Sequence, residues 1–462
     1  MLKLAVILLF SILLLVLSIS RWKVHPFLAL IGCSLLLALT TGFPLNEIPP
    51  LVNRSFSSTF CDIGLIIIFG AMLGGMLECS GAAISLADGI VRLVGKRHPD
   101  WAMMLMGWII SIPIFCDTAF ILLNPVRKSL NERTSCNPLK MSLVLASGLF
   151  VSHLLIPPTP GPIAAAGSLG ISNDLLPLIL WGAVISIPCL LVAYLYSHFY
   201  CRRHGAEAST DTGHQPEVSE MYDVTYARLI ESRQGRPGFV LSLMPILLPI
   251  LCMASGSILK NCAVSGWSMQ FITFIGHPVI ALMLGFLSAL LLLVRSNAMH
   301  KLGQLTEESL KVAGPILFIT AAGSTFGQIM VDAGLVDVIK AAFRHPETMG
   351  LLLPFFICLL LKTAQGSSTV AMTTTAGIMG CYCDGTSLMQ AIGLDTPMSA
   401  VWCVLAIGCG SMIVTHANAS YFWVVCKFGE IPPETAYRSF TVITGLMGAV
   451  GMAAVLLLSG LV

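Results

Sequence analysis

Long apolar runs alternate with short polar connections along most of the chain. Runs near the length that crosses the ~30 Å hydrocarbon core of a bilayer predict membrane helices. They lie near 4–20, 26–41, 60–78, 141–156, 177–199, 239–257, 270–294, 312–330, 397–414 and 439–461. One polar segment, 201–238, separates the runs near the middle of the chain, and we interpret it as a connecting cytoplasmic loop.

The composition indicates the same class of protein. Of the 462 residues, 56% are hydrophobic and only 10% are charged, whereas soluble domains carry roughly 25% charged residues. Continuous hydropathy excludes an outer-membrane barrel, whose strands alternate polar and apolar residues. A net charge of +2 gives no reason to expect a nucleic-acid partner, and the 15 cysteines contain no CxxC pair that would suggest a zinc site. We therefore predict an all-α, polytopic helical membrane protein in the lipid bilayer, with no cofactor and no metal.

Two parts of the chain repeat the same order of features. Glycines spaced G-x3-G-x6-G occur twice, 253 positions apart: Gly70, Gly74 and Gly81, then Gly323, Gly327 and Gly334. The tetrapeptide "FVSH" (150–153) is matched by "IVTH" (413–416), and between these pairs Asp117-Thr118 corresponds to Ser368-Thr369. Glycines alone are common in packed membrane helices, but the shared order predicts an internal duplication.

Basic residues indicate how each copy is oriented. The positive-inside rule places the clusters at 92–97 and 127–140 on the cytoplasmic side. Because only one apolar stretch separates these clusters, we predict a re-entrant hairpin near 101–130 with its tip between Pro113 and Asp117. The matching connections of the second copy hold few basic residues, so that copy is predicted to be inverted, with a hairpin near 351–381. Inverted repeats with broken or re-entrant helices are typical of secondary transporters.

A charged residue at membrane depth is the first candidate for chemistry. Lys362 lies in the apolar stretch "LLLKTAQGSSTVAMTT" (359–374), and insertion of a lysine there costs about 2.5–3.5 kcal/mol. Either it forms a structural ion pair or snorkels to an interface, or it is the counter-charge of an anionic substrate, worth about 4 kcal/mol at ~4 Å and an effective dielectric near 20. The residues that follow would then offer hydrogen bonds at the hairpin tip; they are Gln365, Gly366, Ser367, Ser368 and Thr369.

Asp117 and two histidines are candidates for ion coupling. Asp117, followed by Thr118, is an isolated formal charge in the apolar stretch "SIPIFCDTAFILL". It either caps a broken helix or binds a proton or a cation. His153 and His416 occupy matching positions of the tetrapeptide repeat, and each is either a hydrogen-bonded core residue or part of the coupling site.

Two irregular segments are expected to complete the site. "IPPTPGP" (156–162), which contains Thr159, cannot form a regular helix because proline lacks an amide hydrogen. "THANASYFW" (415–423) provides Asn418 at the matching place. Irregular backbone at membrane depth is tolerated where it lines a cavity or is buried in protein. We therefore predict that these segments and the two hairpin tips form one site.

At these residues the chain resembles the gluconate permease family, the gluconate:proton symporters. The stretches that carry the resemblance are "FGAMLGGMLECSGAA" (69–83), "IFCDTAFILLNP" (114–125), "SHLLIPPTPGP" (152–162), "GSSTVA" (366–371) and "GSMIVTHANASYFW" (410–423). The resemblance covers nearly the whole chain. It implies a proton-coupled importer of small sugar acids in the bacterial inner membrane, within the wider ion-transporter superfamily. It also implies a homodimer with elevator-type scaffold and transport domains.

Together, the repeats and the resemblance suggest a division of the chain. Scaffold spans are expected at 1–56, 171–200 and 239–300, the first repeat at 57–170, the cytoplasmic loop at 201–238, the second repeat at 301–430 and a C-terminal span at 431–462.

Three positions depart from the family's motifs. Thr159 stands where the proline-rich stretch of the family has histidine, Lys362 where many members have arginine, and Ala419 where they often have aspartate. Lysine offers a point charge in place of the two-pronged fork of arginine, which favours a shorter acid than gluconate, such as a four-carbon aldonate or glycerate. The missing carboxylate beside Asn418 bears on the coupling mechanism.

We predict a secondary active symporter for a small hydroxy-carboxylate, and not an enzyme. The substrate-binding residues are predicted to be Lys362, Gln365, Gly366, Ser367, Ser368, Thr369, Thr159 and Asn418, and the ion-coupling residues Asp117, Thr118, His153 and His416. Sodium coupling in the same fold is the nearest alternative, since hydroxyls and backbone carbonyls at broken-helix tips are good sodium ligands. A passive facilitator is a further alternative, although isolated charges do not form the like-charged pore of a channel. An intramembrane enzyme has no support from motifs, because neither HExxH nor GxSxG occurs in the chain.

Overall fold

A computed structural model gives the positions of residues 2–92, 98–134, 136–204, 237–260, 267–334, 338 and 349–460. The helices are α1 Leu2–Ser20, α2 Pro26–Thr41, α3 Ile48–Cys79, α4 Ala82–Ile90, α5 Pro99–Ile110, α6 Cys116–Thr134, α7 Pro138–Leu155, α8 Pro160–Ser168, α9 Leu176–His204, α10 Phe239–Lys260, α11 Trp267–Gly276, α12 Pro278–Arg295, α13 Leu302–Asp332, α14 Leu352–Gln365, α15 Ser368–Met379, α16 Leu388–Ala391, α17 Pro397–Met412, α18 Ser420–Phe428, α19 Pro433–Arg438 and α20 Phe440–Ser459, with a 3-10 turn at Met299–Lys301. No β-strand occurs among these residues, so the predicted all-α class is confirmed. Most of the predicted loop 201–238 lies outside the described residues, as do the basic residues at 93–97.

Seven stretches of the described chain are long and apolar enough to cross a membrane. They cover Ile48–Cys79, Pro138–Ser168, Leu176–Arg203, Phe239–Gly256, Pro278–Arg295, Met299–Asp332 and Pro433–Ser459, and shorter apolar helices cover Val6–Ile19, Pro26–Thr41, Leu352–Gln365 and Pro397–Met412. The prediction of a polytopic helical membrane protein is confirmed. The prediction of one continuous span at 270–294 was wrong, because Pro278 begins a new helix after α11 ends at Gly276.

The stretch after α4 folds as two arms, α5 and α6, joined by residues 111–115, and we call it the first hairpin. At 12 residues, α5 is about 18 Å long, too short to cross the ~30 Å apolar core. Asp100, in the first turn of α5, forms an ion pair with Lys140 at the start of α7. Tyr194 of α9 donates a hydrogen bond to the same carboxylate at 2.9 Å. Because α7 begins directly after α6, both arms of the first hairpin reach the same end of the bundle.

The second hairpin consists of α14 and α15, which Gly366 and Ser367 connect. Gly366 has a φ of 85° and donates its amide to the carbonyl of Lys362 at 2.8 Å. Glycine adopts this left-handed conformation without the steric cost of a β-carbon, and it therefore ends α14. Ser367 caps α15, since its Oγ accepts the amide hydrogen of Val370 at 3.3 Å. The tip is thus ordered by its own backbone and cap.

The repeated glycines lie where backbones approach each other closely. A β-carbon at Gly74 would be 2.4 Å from a backbone oxygen in the loop of the first hairpin. A β-carbon at Gly327 would be 1.8 Å from a backbone oxygen of α15 in the second hairpin. Gly81 and Gly334 follow α3 and α13 with φ of 71° and 97°. Two of the three pairs of corresponding glycines therefore have similar roles in the two halves of the chain.

Two broken helices run through the bundle between the hairpins. The first, α7 and α8, is interrupted at residues 156–159, and the second, α17 and α18, at residues 413–419. Every residue from 141 to 157 is buried, so protein surrounds the first broken helix over most of its length. α8 packs against α15, and α18 packs against α6. Each broken helix thus contacts the hairpin that belongs to the other half.

Candidate functional site

The tip of the second hairpin is joined to the second helix break by backbone contact and hydrogen bonds. A β-carbon at Gly366 would lie 2.1 Å from the backbone oxygen of Asn418, so only glycine fits there. Asn418 donates from Nδ2 to the carbonyl of Thr363 at 2.8 Å. Ser368 donates from Oγ to the carbonyl of Ser411 in the last turn of α17, at 3.2 Å. The sequence prediction that this tip and this break meet is therefore realised in the structure.

The first hairpin and the first break reach the same region. Ser420, the first residue of α18, donates from Oγ to Oδ2 of Asp117 in the first turn of α6 at 3.4 Å. A β-carbon at Gly161, near the start of α8, would lie 4.0 Å from the α-carbon of Thr369 at the start of α15. The N-terminal ends of α6 and α18 meet at one contact and those of α8 and α15 at the other. Helix N-termini carry partial positive charge and favour anions.

Lys362 has no counter-charge among the described residues. Its side chain is 0% exposed, and Nζ has no hydrogen-bond partner in the described part of the chain. The same turn of α14 carries two more buried polar atoms without a partner, Oγ1 of Thr363 and Nε2 of Gln365. A buried polar atom left without a partner costs about 1–3 kcal/mol, and a charged one costs more. This turn therefore has the composition of a binding site for a ligand with several oxygen acceptors.

Asp117 is also incompletely paired. While Oδ2 accepts from Ser420, Oδ1 is buried without a hydrogen-bond partner among the described residues. Thr118 is half-buried and lines a cavity of about 360 Å³. The same cavity is also lined by Glu78, Glu308 and Lys301. Space large enough for water therefore reaches the tip of the first hairpin. Nothing in the sequence connects these three residues with Thr118, because they come from α3, from the 3-10 turn at Met299–Lys301 and from the start of α13.

The two histidines do not occupy matching places. His153 is in the last turn of α7, where it is buried with Nδ1 unpartnered in the described part of the chain. Its ring lies 5.7 Å from that of Phe115 at the tip of the first hairpin. His416 lies in the second break, after α17 has ended at Met412, and its Nδ1 accepts the amide hydrogen of Asn418 at 3.3 Å. The predicted equivalence is wrong because the tetrapeptides align in sequence but not with respect to the ends of their helices.

Several of the predicted substrate-binding residues already form hydrogen bonds within the protein. Thr159 is buried and donates from Oγ1 to the carbonyl of Ile156 at 2.7 Å, which stabilises the first break. Ser367 uses one lone pair in the cap of α15 and is exposed. Each of these hydroxyls keeps further hydrogen-bonding capacity. Thr363 was not predicted, although its position directly after Lys362 was a usable signal.

Comparison with known proteins agrees on one family. A sequence profile of the GntP family permeases matches residues 3–462. A gluconate permease of Pseudomonas aeruginosa is 30% identical, over 96% of this chain and 95% of that protein. The inner membrane permease YgbN of Escherichia coli is 30% identical, over 96% of this chain and 95% of that protein. The YdaH transporter of Alcanivorax borkumensis, whose crystal structure shows an unusual topology, has a similar fold, with a TM-score of 0.59 over 95% of this chain and 98% of that one at 16% identity.

Proposed function

The chain belongs to the GntP family of permeases, transporters rather than enzymes, and we propose that it imports a small sugar acid by symport with protons. It is a multi-pass protein of the bacterial inner membrane. The intramembrane-enzyme alternative is thereby excluded. The similarity to proteins named gluconate permease supports a gluconate-like substrate.

The observation that carries this proposal is the unpaired ammonium group of Lys362. A buried cation that persists in apolar surroundings without a protein counter-charge is suited to an anionic ligand. A sugar acid provides the carboxylate, and its hydroxyls can both donate and accept at Gln365 and Thr363. The remaining substrate ligands of the proposal are Gly366, Ser367, Ser368, Thr369, Thr159 and Asn418. Lysine at this position binds one carboxylate oxygen rather than two, which supports an acid shorter than gluconate.

The proposed coupling group is Asp117. Its unpartnered Oδ1 can take a proton, and the neighbouring cavity at Thr118 gives water a route to the hairpin tip. His153, through Phe115, and His416, through Asn418, are the proposed further members of the coupling site. Protonation of Asp117 would remove its repulsion of the substrate carboxylate, so proton and acid would bind together.

Sodium coupling is the second candidate. A carboxylate oxygen without a partner at Asp117, the hydroxyl of Ser420 and the carbonyls of the second break are oxygen ligands of the kind that sodium prefers. Coupling by sodium would leave the role of Lys362 unchanged. The two candidates differ only in the cation that reaches Asp117.

We also propose the architecture of two inverted repeats, 57–170 and 301–430, in an elevator-type homodimer. The similar roles of Gly74 and Gly327, and of Gly81 and Gly334, support the repeats. The contacts of each broken helix with the hairpin of the other half support a common transport domain. The remaining spans would form the scaffold.

Uptake of radiolabelled acids into proteoliposomes tests the function. The purified protein is reconstituted in sodium-free potassium buffer with the lumen alkaline, and gluconate, threonate and glycerate are offered in turn. Accumulation that a protonophore abolishes is expected for at least one acid. Accumulation that appears only after sodium is added would establish the second candidate. Equilibration without accumulation in both buffers would overturn symport.

A further inference from the structure

A second buried cation lies on α6, in the other hairpin. Arg127 is 1% exposed, although its place in a basic cluster predicts an ordinary cytoplasmic residue. Its Nε donates to Oδ1 of Asn124 at 2.8 Å, whereas Nη2 is buried without a hydrogen-bond partner among the described residues. Burial of a guanidinium with part of its fork unused is costly unless another conformation or a ligand satisfies it.

Arg127 belongs to a polar stripe that begins at the candidate site. Asp117, Asn124, Arg127 and Asn131 are spaced by seven, three and four positions, which places them on one face of the helix. The stripe is about 21 Å long at a rise of 1.5 Å per residue. Like Oδ1 of Asp117, Oδ1 of Asn131 is buried and unpartnered in the described part of the chain. The stripe therefore leads from the hairpin tip toward the basic end of α6.

This face of α6 packs against α18. Asp117 meets Ser420 at the first end, and the rings of Phe120 and Tyr421 lie 6.3 Å apart. At the other end, Lys128 forms an ion pair of 3.1 Å with Glu430, just after α18. Although Lys128 is the next residue after Arg127, no ion pair within 4 Å joins Arg127 and Glu430 in the described part of the chain.

We propose that Arg127 is a second carboxylate-binding site, which the sugar acid occupies between Lys362 and the inner face of the membrane. This inference rests on the proposed transport function. A guanidinium binds a carboxylate through two parallel hydrogen bonds. Nη2 of Arg127 has no hydrogen-bond partner among the described residues, and it lies on the face of α6 that begins at Asp117. Because Arg127 is enclosed here, α6 and α18 must separate to admit the acid. The corresponding arm of the second hairpin, α15, contains no lysine or arginine, so that arm offers no equivalent binding site.

Transport measured separately from each face of the membrane tests whether Arg127 is a second carboxylate-binding site. Initial rates of radiolabelled gluconate uptake into right-side-out and inside-out vesicles give the KM from the outer and the inner face, with the pH gradient collapsed. Arg127→Gln is expected to raise the inner KM at least fivefold and to leave the outer KM within twofold. Arg127→Lys, which keeps the charge but loses the fork, is expected to raise the inner KM less. Lys128→Gln, the same charge change at the next residue, is the matched control and is expected to leave both values within twofold.

The other results would overturn the inference. Equal changes of both KM values in Arg127→Gln would show a structural role, and unchanged values would show that the acid does not bind there. If Glu430→Gln raised the inner KM as Arg127→Gln does, the partner of Arg127 would be Glu430 and not the substrate. If Arg127→Gln does not assemble, an unchanged inner KM in Arg127→Lys would reject the second carboxylate-binding site. Absence of transport of gluconate, threonate and glycerate alike by the wild type in both vesicle types would instead reject the proposed function itself.

Discussion

The side chain of Asn418 donates a hydrogen bond from Nδ2 to the backbone carbonyl of Thr363 at 2.8 Å. That carbonyl belongs to the last turn of α14, where a helix leaves its carbonyls without helical partners. The bond therefore closes the end of α14 with a group from the second break, 55 positions later in the chain. It also fixes the turn that carries the buried ammonium of Lys362.

Loss of this hydrogen bond is expected to weaken substrate binding. In Asn418→Ala the end of α14 loses a partner worth about 1 kcal/mol, and we expect a KM for uptake about fivefold higher with unchanged expression. Gln390→Ala is the matched control, because Gln390 of α16 also donates an amide hydrogen to a backbone carbonyl, that of Tyr382 in the loop after α15, at 2.9 Å. A KM for Asn418→Ala equal to that of the control would contradict the positioning role.

Replacement of Lys362 is expected to have opposite effects on substrate binding and on the stability of the substrate-free protein. Lys362→Met removes an unpaired buried charge, so the substrate-free protein should melt at a Tm about 2 °C or more higher. The same variant should lose uptake and the rise in Tm that substrate causes, whereas Lys362→Arg should keep part of both. Thermal unfolding in detergent and proteoliposome uptake measure the two effects.

Lys140→Met is the control for that experiment. Lys140 is half-buried, but it is ion-paired with Asp100 and hydrogen-bonded to Tyr194. Its removal leaves Asp100 without its counter-charge, so the Tm should fall. A Tm that falls equally in both variants would show that Lys362 also has a protein partner and is not reserved for substrate.

Neutralisation of Asp117 is expected to uncouple transport. Asp117→Asn keeps the hydrogen bond with Ser420 but cannot exchange a proton, so accumulation against a gradient should be lost while exchange of labelled for unlabelled acid continues. Asp395→Asn, an exposed carboxylate before α17, should accumulate normally. Both are measured in sodium-free buffer with an inward proton gradient. Concentrative uptake by Asp117→Asn at the wild-type level would remove this residue from the coupling role.

The sequence was sufficient for most of the spans, although the break between Gly276 and Pro278 was missed, but not for the pairing of charges. Apolar runs located the spans, and prolines located the first break, because both signals are local. Arg127 and Lys128 are adjacent basic residues in sequence, yet one is buried and the other is ion-paired with Glu430, since neighbouring positions on a helix face different directions. The unpaired state of Lys362 depends likewise on side chains from distant segments.

Close packing of α13 on the second hairpin provides the last test. Gly327→Ala would place a β-carbon 1.8 Å from the backbone oxygen of Gly377, so α13 and α15 must move apart, and we expect a lower Tm and slower uptake. Gly314→Ala is the matched control on the same helix, because nothing lies within 4 Å of its added β-carbon. Alanine favours helix over glycine by about 1 kcal/mol, so the control should be as stable as the wild type or more stable. Thermal unfolding and uptake are measured for both, and equal stability of the two variants would show that α15 does not rest on Gly327.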